Sequence, residues 1–141
     1  MASLALGLPD LSLESASTFL AAAGLELTEV SGTRVVGHLE LGPEHHTPWG
    51  VVHGGVYTTA VESAASVGAT VAVADKGQFA VGLHNATDFL RASTGGRADL
   101  VATALQQGRT QQLWLVVVSR PDGKELARGQ VRLQNIDRQE Q

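Results

Sequence analysis

The chain has no cysteine among its 141 residues, which excludes disulfides and thiolate metal sites and leaves the redox compartment open. Basic residues are scarce in the first half: Arg34 is the only Lys or Arg before Lys76. With a net charge of −4, that argues against nucleic acid as a partner. The basic second half could receive an anionic ligand or simply form a mixed, solvated surface. The first residues lack a basic segment and a sustained apolar core, so no secretory leader is expected and the cytoplasm is the expected compartment. There is no serine nucleophile elbow, no glycine-rich nucleotide loop, no internal repeat and no linker. The length and a hydrophobic content of 43% point to one domain spanning residues 1–141, with a real core.

What the chain does have is a long run of small residues from Trp49 to Ala74, almost free of charge. Ala, Val, Gly, Ser and Thr fill it, apart from Trp49, His53, Tyr57 and Glu62. Apolar residues fall on every helical face, which predicts a helix buried all round, starting near Gly54 and fraying by Asp75-Lys76-Gly77. Glu62, His53 and the small polar residues speak against a membrane span. A lone carboxylate in such a helix is costly unless it has partners or a task.

Before this run, Ser12 or Ser15 is placed to cap a helix that carries Leu13, Ala16, Phe19, Leu20 and Ala23 on one face, and Gly24 is placed to end it. Leu25 to Val30 and Thr33 to Leu41 read as strands around a Ser31-Gly32 turn, and Gly42 to Pro48 as a loop. After it the period becomes alternating. Strands are expected at Phe79 to Phe89, bulged or bent, and at Ala98 to Gln107, Gln112 to Ser119 and Glu125 to Gln134. Residues 1–9 and 137–141 read as loose tails. This is an α+β layout, an antiparallel sheet curled around one central helix.

Gly50-Val51-Val52-His53-Gly54-Gly55, followed by Glu62 eight residues after Gly54, resembles the hotdog-fold acyl-CoA thioesterases. The nearest subgroup is that of the phenylacetate-pathway and Arthrobacter-type 4-hydroxybenzoyl-CoA thioesterases. Asn85-Ala86-Thr87-Asp88-Phe89-Leu90-Arg91 and Gly108-Arg109-Thr110 are similar to two further family blocks, and the likeness runs from about Gly24 to Gln134. The resemblance implies a helix-borne acid, Glu62, that attacks the thioester or activates water, and a Gly54 amide that polarises the thioester oxygen. His53 would place substrate or the oxyanion loop, and Ser66 would orient water or the carboxylate. It implies substrate and coenzyme A contacts at Gly55, Trp49, Asn85, Arg91, Arg109 and Thr110. Thr47 stands where relatives commonly carry Asn or Gln, and its shorter side chain cannot do both jobs of an amide.

The structural alternatives are a Glu62 carboxylate bonded to Thr58 or Ser66, helix-entry glycines at Gly54 and Gly55, a packing role for Ser66 and a satisfied structural His53. Asp88 and Arg91 also fit a plain surface strand end, and Trp49 and Tyr57 fit packing. His45, His46 and His53 have no carboxylate at a familiar ligand spacing, so no metal is expected, and no cofactor beyond the coenzyme A of the substrate. A hotdog dehydratase or hydratase and a non-catalytic acyl-CoA binder are the other functional readings. Helix geometry bears on assembly: Gly54 and Glu62 lie about 12 Å apart along one axis, too far to act on one carbonyl. Two antiparallel copies would unite them, so a dimer, extending to a tetramer, is the expected state.

Overall fold

The computed structural model describes residues 10–139. The elements are α1 (Leu13–Ala16), α2 (Thr18–Ala23), β1 (Glu26–Val30), β2 (Arg34–Leu41), α3 (Gly54–Val73), β3 (Gln78–Phe89), β4 (Gly96–Gln107), β5 (Gln111–Ser119) and β6 (Glu125–Asp137). Short 3-10 turns at Pro43–His45 and Ala74–Lys76 flank α3. The six strands form one antiparallel sheet in the order β1-β2-β4-β5-β6-β3, so β1 and β3 are its edges. This is the α+β hotdog arrangement, with α3 lying against one face of the sheet.

Alternation explains which face is which. In β5, Gln112, Trp114, Val116 and Val118 are buried toward α3, while Leu113, Leu115 and Val117 are half-buried on the other side. α3 answers with small residues: Ala60, Ala64, Ala65 and Ala69 are fully buried, and Gly68 sits among them. A Cβ built on Gly68 would lie 2.4 Å from Cη2 of Trp114 and 2.9 Å from Val35. Glycine is therefore what lets the helix seat on the largest side chain of the core. The indole is also fixed from its polar end, since Trp114 Nε1 donates to Gln112 Oε1 at 2.9 Å.

Three features of consequence differ from the sequence expectation. The first helix is two short ones, because Ser17 is fully extended and caps α2 by accepting from the Leu20 amide at 3.2 Å, while the Ser12 hydroxyl bonds Glu14 instead of capping α1. The break takes Phe19 off the core face and leaves it 66% exposed. Gly24 does end α2, in the left-handed conformation. At the other end, Ile136 and Asp137 belong to β6, and Gln78 donates its side-chain amide to Asp137 at 3.0 Å. The tail expected at residues 1–9 lies outside the described residues.

The third difference is the most consequential. α3 is not buried all round. Tyr57, Ala60, Val61, Ala64 and Gly68 are buried, whereas Thr58, Thr59, Ser63 and Ser66 are half-open and Glu62 is exposed. The open positions recur at helical spacing, so they form one polar stripe facing away from the sheet. The expected irregularity in β3 is present, as the β3–β6 register shifts between Gly82 and His84.

Gly68→Ala tests the helix–sheet contact. Helix propensity alone would stabilise by about 1 kcal/mol. Overpacking against a clamped indole costs about 1–3 kcal/mol, and the 2.4 Å approach places it at the upper end. A net loss of about 1–2 kcal/mol is expected in urea denaturation; an unchanged or raised midpoint would show that the core yields.

Candidate active site

The site begins at the N-terminus of α3. His53 is the N-cap, in extended conformation, and its Nδ1 accepts from the Gly55 amide at 2.8 Å. An accepting Nδ1 puts the ring proton of the neutral imidazole on Nε2. The His53 carbonyl takes the Val56 amide at 3.0 Å. Of the first three amides of the helix, only that of Gly54 has no acceptor among the described residues. It is the one unclaimed donor at the positive end of the helix dipole.

The chain entering this point is held from several sides. Val52 donates to Ser93 at 2.8 Å, His53 to His45 at 2.8 Å, and Thr47 to Val51 at 2.7 Å, all through the backbone. Gly50 adopts φ +78°, which the turn from Pro48 into Val51 requires. The phenyl ring of Phe89 lies so close to Gly54 that an added Cβ would meet three of its atoms at 2.9–3.0 Å. Phe89 also stacks, tilted by 37°, on Tyr57 at 6.5 Å. Burial pushes the Tyr57 phenol above its ordinary range, offset in part by the Ser93 hydroxyl.

Glu62 lies two turns further on, over the edge strand. Asn85 donates its Nδ2 to Glu62 Oε1 at 3.4 Å and to the Thr58 carbonyl at 3.1 Å. Thr87 fixes that amide from behind, donating to Asn85 Oδ1 at 2.6 Å. Gly82 leaves room for the carboxylate, since a Cβ there would sit 3.1 Å from Oε2. Neither Thr58 nor Ser66 bonds Glu62. The Thr58 and Thr59 hydroxyls donate back to Gly54 and Gly55 carbonyls, at 3.2 and 2.7 Å. The carboxylate thus has one long hydrogen bond and free lone pairs toward solvent.

The polar stripe is the floor of a groove. Leu13, Phe19 and Leu20 of the N-terminal helices face Thr58, Glu62, Ser63, Ser66 and Val67 across a cavity of about 400 Å³. A second cavity of about 390 Å³ adjoins it at Phe19 and Thr59 and reaches His53, Gly55 and His46. Phe19 and Thr59 thus stand between a cavity beside the carboxylate and one beside the N-terminus of α3.

Other expected site residues are not gathered within one chain. The Thr47 hydroxyl accepts from the Trp49 amide at 3.2 Å, closing its own turn, and Trp49 is 86% exposed. The Arg91 amide donates to the Leu126 carbonyl, whereas the Thr110 carbonyl accepts from Asn135. Leu126 and Asn135 are nine residues apart on β6, roughly 30 Å at the rise of a strand, so Arg91 and Arg109 sit at opposite ends of the sheet. His45, His46 and His53 each bond a separate backbone group, through Ala22, Thr94 and Gly55. Ser63, Gly82, Thr87, Phe19 and Phe89 belong to the site and were missed; the hydroxyl spacing along α3 was the signal for Ser63.

The profile of the thioesterase superfamily matches residues 50–127, which spans the helix entry, Glu62 and the strands behind them. The chain belongs to this superfamily. As a thioesterase it is similar to a Mycobacterium tuberculosis protein named provisionally as an esterase, 40% identical over 81% of this chain and 83% of the relative. The solved structure of that protein superposes with a TM-score of 0.84 over 88% of this chain and 100% of its own. Two further relatives carry activity names. A 1,4-dihydroxy-2-naphthoyl-CoA hydrolase of Listeria monocytogenes is 29% identical over 68% of this chain and 77% of its own. The proofreading thioesterase EntH of Cronobacter turicensis is 26% identical over 83% and 85%. The thioesterase described here is a thioester hydrolase of the hotdog fold.

The cap at His53 has a separable role in stability. His53→Ala frees the Gly55 amide and should destabilise the protein by about 1 kcal/mol, whereas His53→Asp supplies a capping oxygen and should restore most of it. Chemical denaturation of the three proteins checks this, and equal losses in both variants would show that the ring acts otherwise.

Proposed function

We propose that this thioesterase hydrolyses aryl- or fatty-acyl-CoA, with Glu62 as the catalytic carboxylate. The observation that carries the reading is Glu62 itself. It is the single acidic residue of α3, it stands open on the floor of a groove, and the Asn85 amide holds it without quenching it. In one course Glu62 takes a proton from water and the hydroxide adds to the thioester carbon. The oxyanion is met by the free Gly54 N–H, and collapse expels the thiolate, which regains the proton. In the other, Glu62 adds to the carbonyl itself and the C–S bond breaks to expel the thiolate, leaving a mixed anhydride that water opens to the product acid and free Glu62, the water proton going to the thiolate. Water and thioester balance both courses without a metal. Ser66 lies i+4 from Glu62 on the same groove, where its hydroxyl orients the water. The naming of the Listeria relative after an aryl-CoA favours the aryl side of the range and the hydroxybenzoyl-type subgroup.

Glu62 and Gly54 serve one thioester only if they come from two copies. β3 supports that pairing: it is a twelve-residue edge strand with Leu83 49% and Phe89 56% exposed, a surface that invites a second strand. Glu62 lies over Gly82 and Asn85, and Gly54 lies under Phe89. A two-fold axis midway, near Ala86, brings Gly54 of each copy toward Glu62 of the other. Cytoplasmic residence and assembly of such dimers into a tetramer belong to the same proposal.

Glu62→Gln removes the charge with little change of shape. It should lower kcat for thiol release from benzoyl-CoA by about 100-fold or more while leaving the fold intact. Near-wild-type turnover would remove Glu62 from the mechanism. Ser66→Ala should be milder.

The pairing has its own test, clean because the chain has no cysteine. Oxidised Ala86→Cys should run as a covalent dimer, since residues facing each other across an antiparallel pair place their Cβ atoms about 4.5–5.5 Å apart. Thr103→Cys, on the inner strand β4, should stay monomeric in the same gel. Cross-linking at Thr103 and none at Ala86 would place the interface elsewhere.

A further inference from the structure

Phe19 is a large apolar side chain that the core does not use. It is 66% exposed, although its helix, α2, is held at both ends. Ser17 accepts from the Leu20 amide at 3.2 Å, and the Gly24 amide donates to the Leu20 carbonyl at 3.1 Å. α2 is also pinned to the loop that enters α3. His45, 7% exposed, accepts the Gly42 amide on Nδ1 at 3.2 Å, which leaves the ring proton on Nε2. That Nε2 donates to the Ala22 carbonyl at 2.8 Å. The His45 carbonyl in turn takes the His53 amide at 2.8 Å. One buried histidine thus sets the place of α2 against the helix entry, and with it the place of the Phe19 ring.

That place is the partition between two cavities. Phe19 and Thr59 are the residues the two share. The Thr59 hydroxyl is committed to the Gly55 carbonyl at 2.7 Å, whereas the ring has no other task. On the Glu62 side, Leu13, Phe19 and Leu20 make an apolar wall, and Thr58, Ser63 and Ser66 put hydroxyls around the carboxylate. An acyl-CoA whose carbonyl carbon meets Glu62 lays its acyl group against the apolar wall. That cavity, about 400 Å³, is at the small end of the range of about 300–1,000 Å³ for ligand sites. The ring stands where a longer chain would have to continue. Beyond it lies a further cavity of about 390 Å³, with Ala22, Ala23 and Val56 in its lining.

We infer that Phe19 is a specificity-determining residue: its ring closes the cavity beside Glu62, so that compact acyl groups, aryl or short-chain, fit and long straight chains do not. The inference rests on the reading that the substrate is an acyl-CoA cleaved at Glu62, and it narrows the acyl class from the geometry of this chain. Phe19 touches the acyl group and takes no part in bond making or breaking.

Hydrolysis of benzoyl-CoA and decanoyl-CoA by two variants tests it. Phe19→Ala joins the cavities and should raise kcat/KM for decanoyl-CoA about tenfold or more, the scale on which a hydrophobic pocket discriminates methylenes. The value for benzoyl-CoA should not rise. Phe19→Trp should shift the ratio of the two substrates the other way. Because the ring is exposed, both variants should keep the wild-type urea midpoint. A ratio that neither variant moves overturns the inference. So does an equal rise on both substrates, which would make the ring a general lid. Binding of the thioethers S-benzyl-CoA and S-decyl-CoA, which carry no thioester to cleave, separates this inference from the function it rests on. A wild-type protein that releases no thiol from any acyl-CoA ends the proposed function, while a gain in S-decyl-CoA over S-benzyl-CoA binding in Phe19→Ala still upholds the selector. Normal hydrolysis with unmoved ratios in both assays ends this inference alone.

Discussion

The close seating of α3 on the sheet is the constraint on which the rest depends. Trp114 is fully buried and meets the helix at Gly68, with Ala64, Ala65 and Ala69 around it. Small residues on the helix let one large side chain fill the interface at native packing density. Because the sheet needs only that face, the opposite face is free of packing duty. It carries hydroxyls and the carboxylate, and the N-terminal helices stand off far enough to leave a groove. The same contact fixes the axial position of the helix, and with it where the Gly54 amide and Glu62 stand against β3.

Hydrogen-bond accounting at the helix entry then selects one donor. Gly55 is consumed by the His53 ring and Val56 by the His53 carbonyl, so the favourable end of the dipole is presented through Gly54 alone. His53 thereby works as the cap that commits its neighbour's amide. Phe89 covers the glycine, Asn85 and Thr87 hold the carboxylate, and all three residues lie on β3. The edge strand that supports the site is also the strand left unpaired. In the proposed dimer, site and interface are built from one element, which ties the completion of the chemistry to association.

Polar groups at the other end obey the same accounting. Gln112 and Asn135 are buried with their side-chain groups partnered, the condition under which such groups specify a structure instead of weakening it. They link α3, β5, β6 and the β4–β5 turn. A surface turn is thereby held by the core instead of by its own sequence.

The sequence by itself determined most of the elements and singled out Glu62 as the lone carboxylate of α3. Alternation in β5, turn residues such as Gly24, and the contrast between one carboxylate and a field of Ala and Val were all readable along the chain, because they depend on local periodicity and on the cost of burying charge. Tertiary structure alone decided the rest. Thr58, Thr59, Ser63 and Ser66 are small enough to pass for core, so only the one-sided sheet showed that their stripe is open. The break at Ser17 depends on a dihedral that composition does not encode. The roles of Asn85 and Asn135 depend on partners 23 to 27 residues away in the chain. Arg91 and Arg109 fall at opposite ends of the sheet because strand pairing, and not sequence distance, sets their separation.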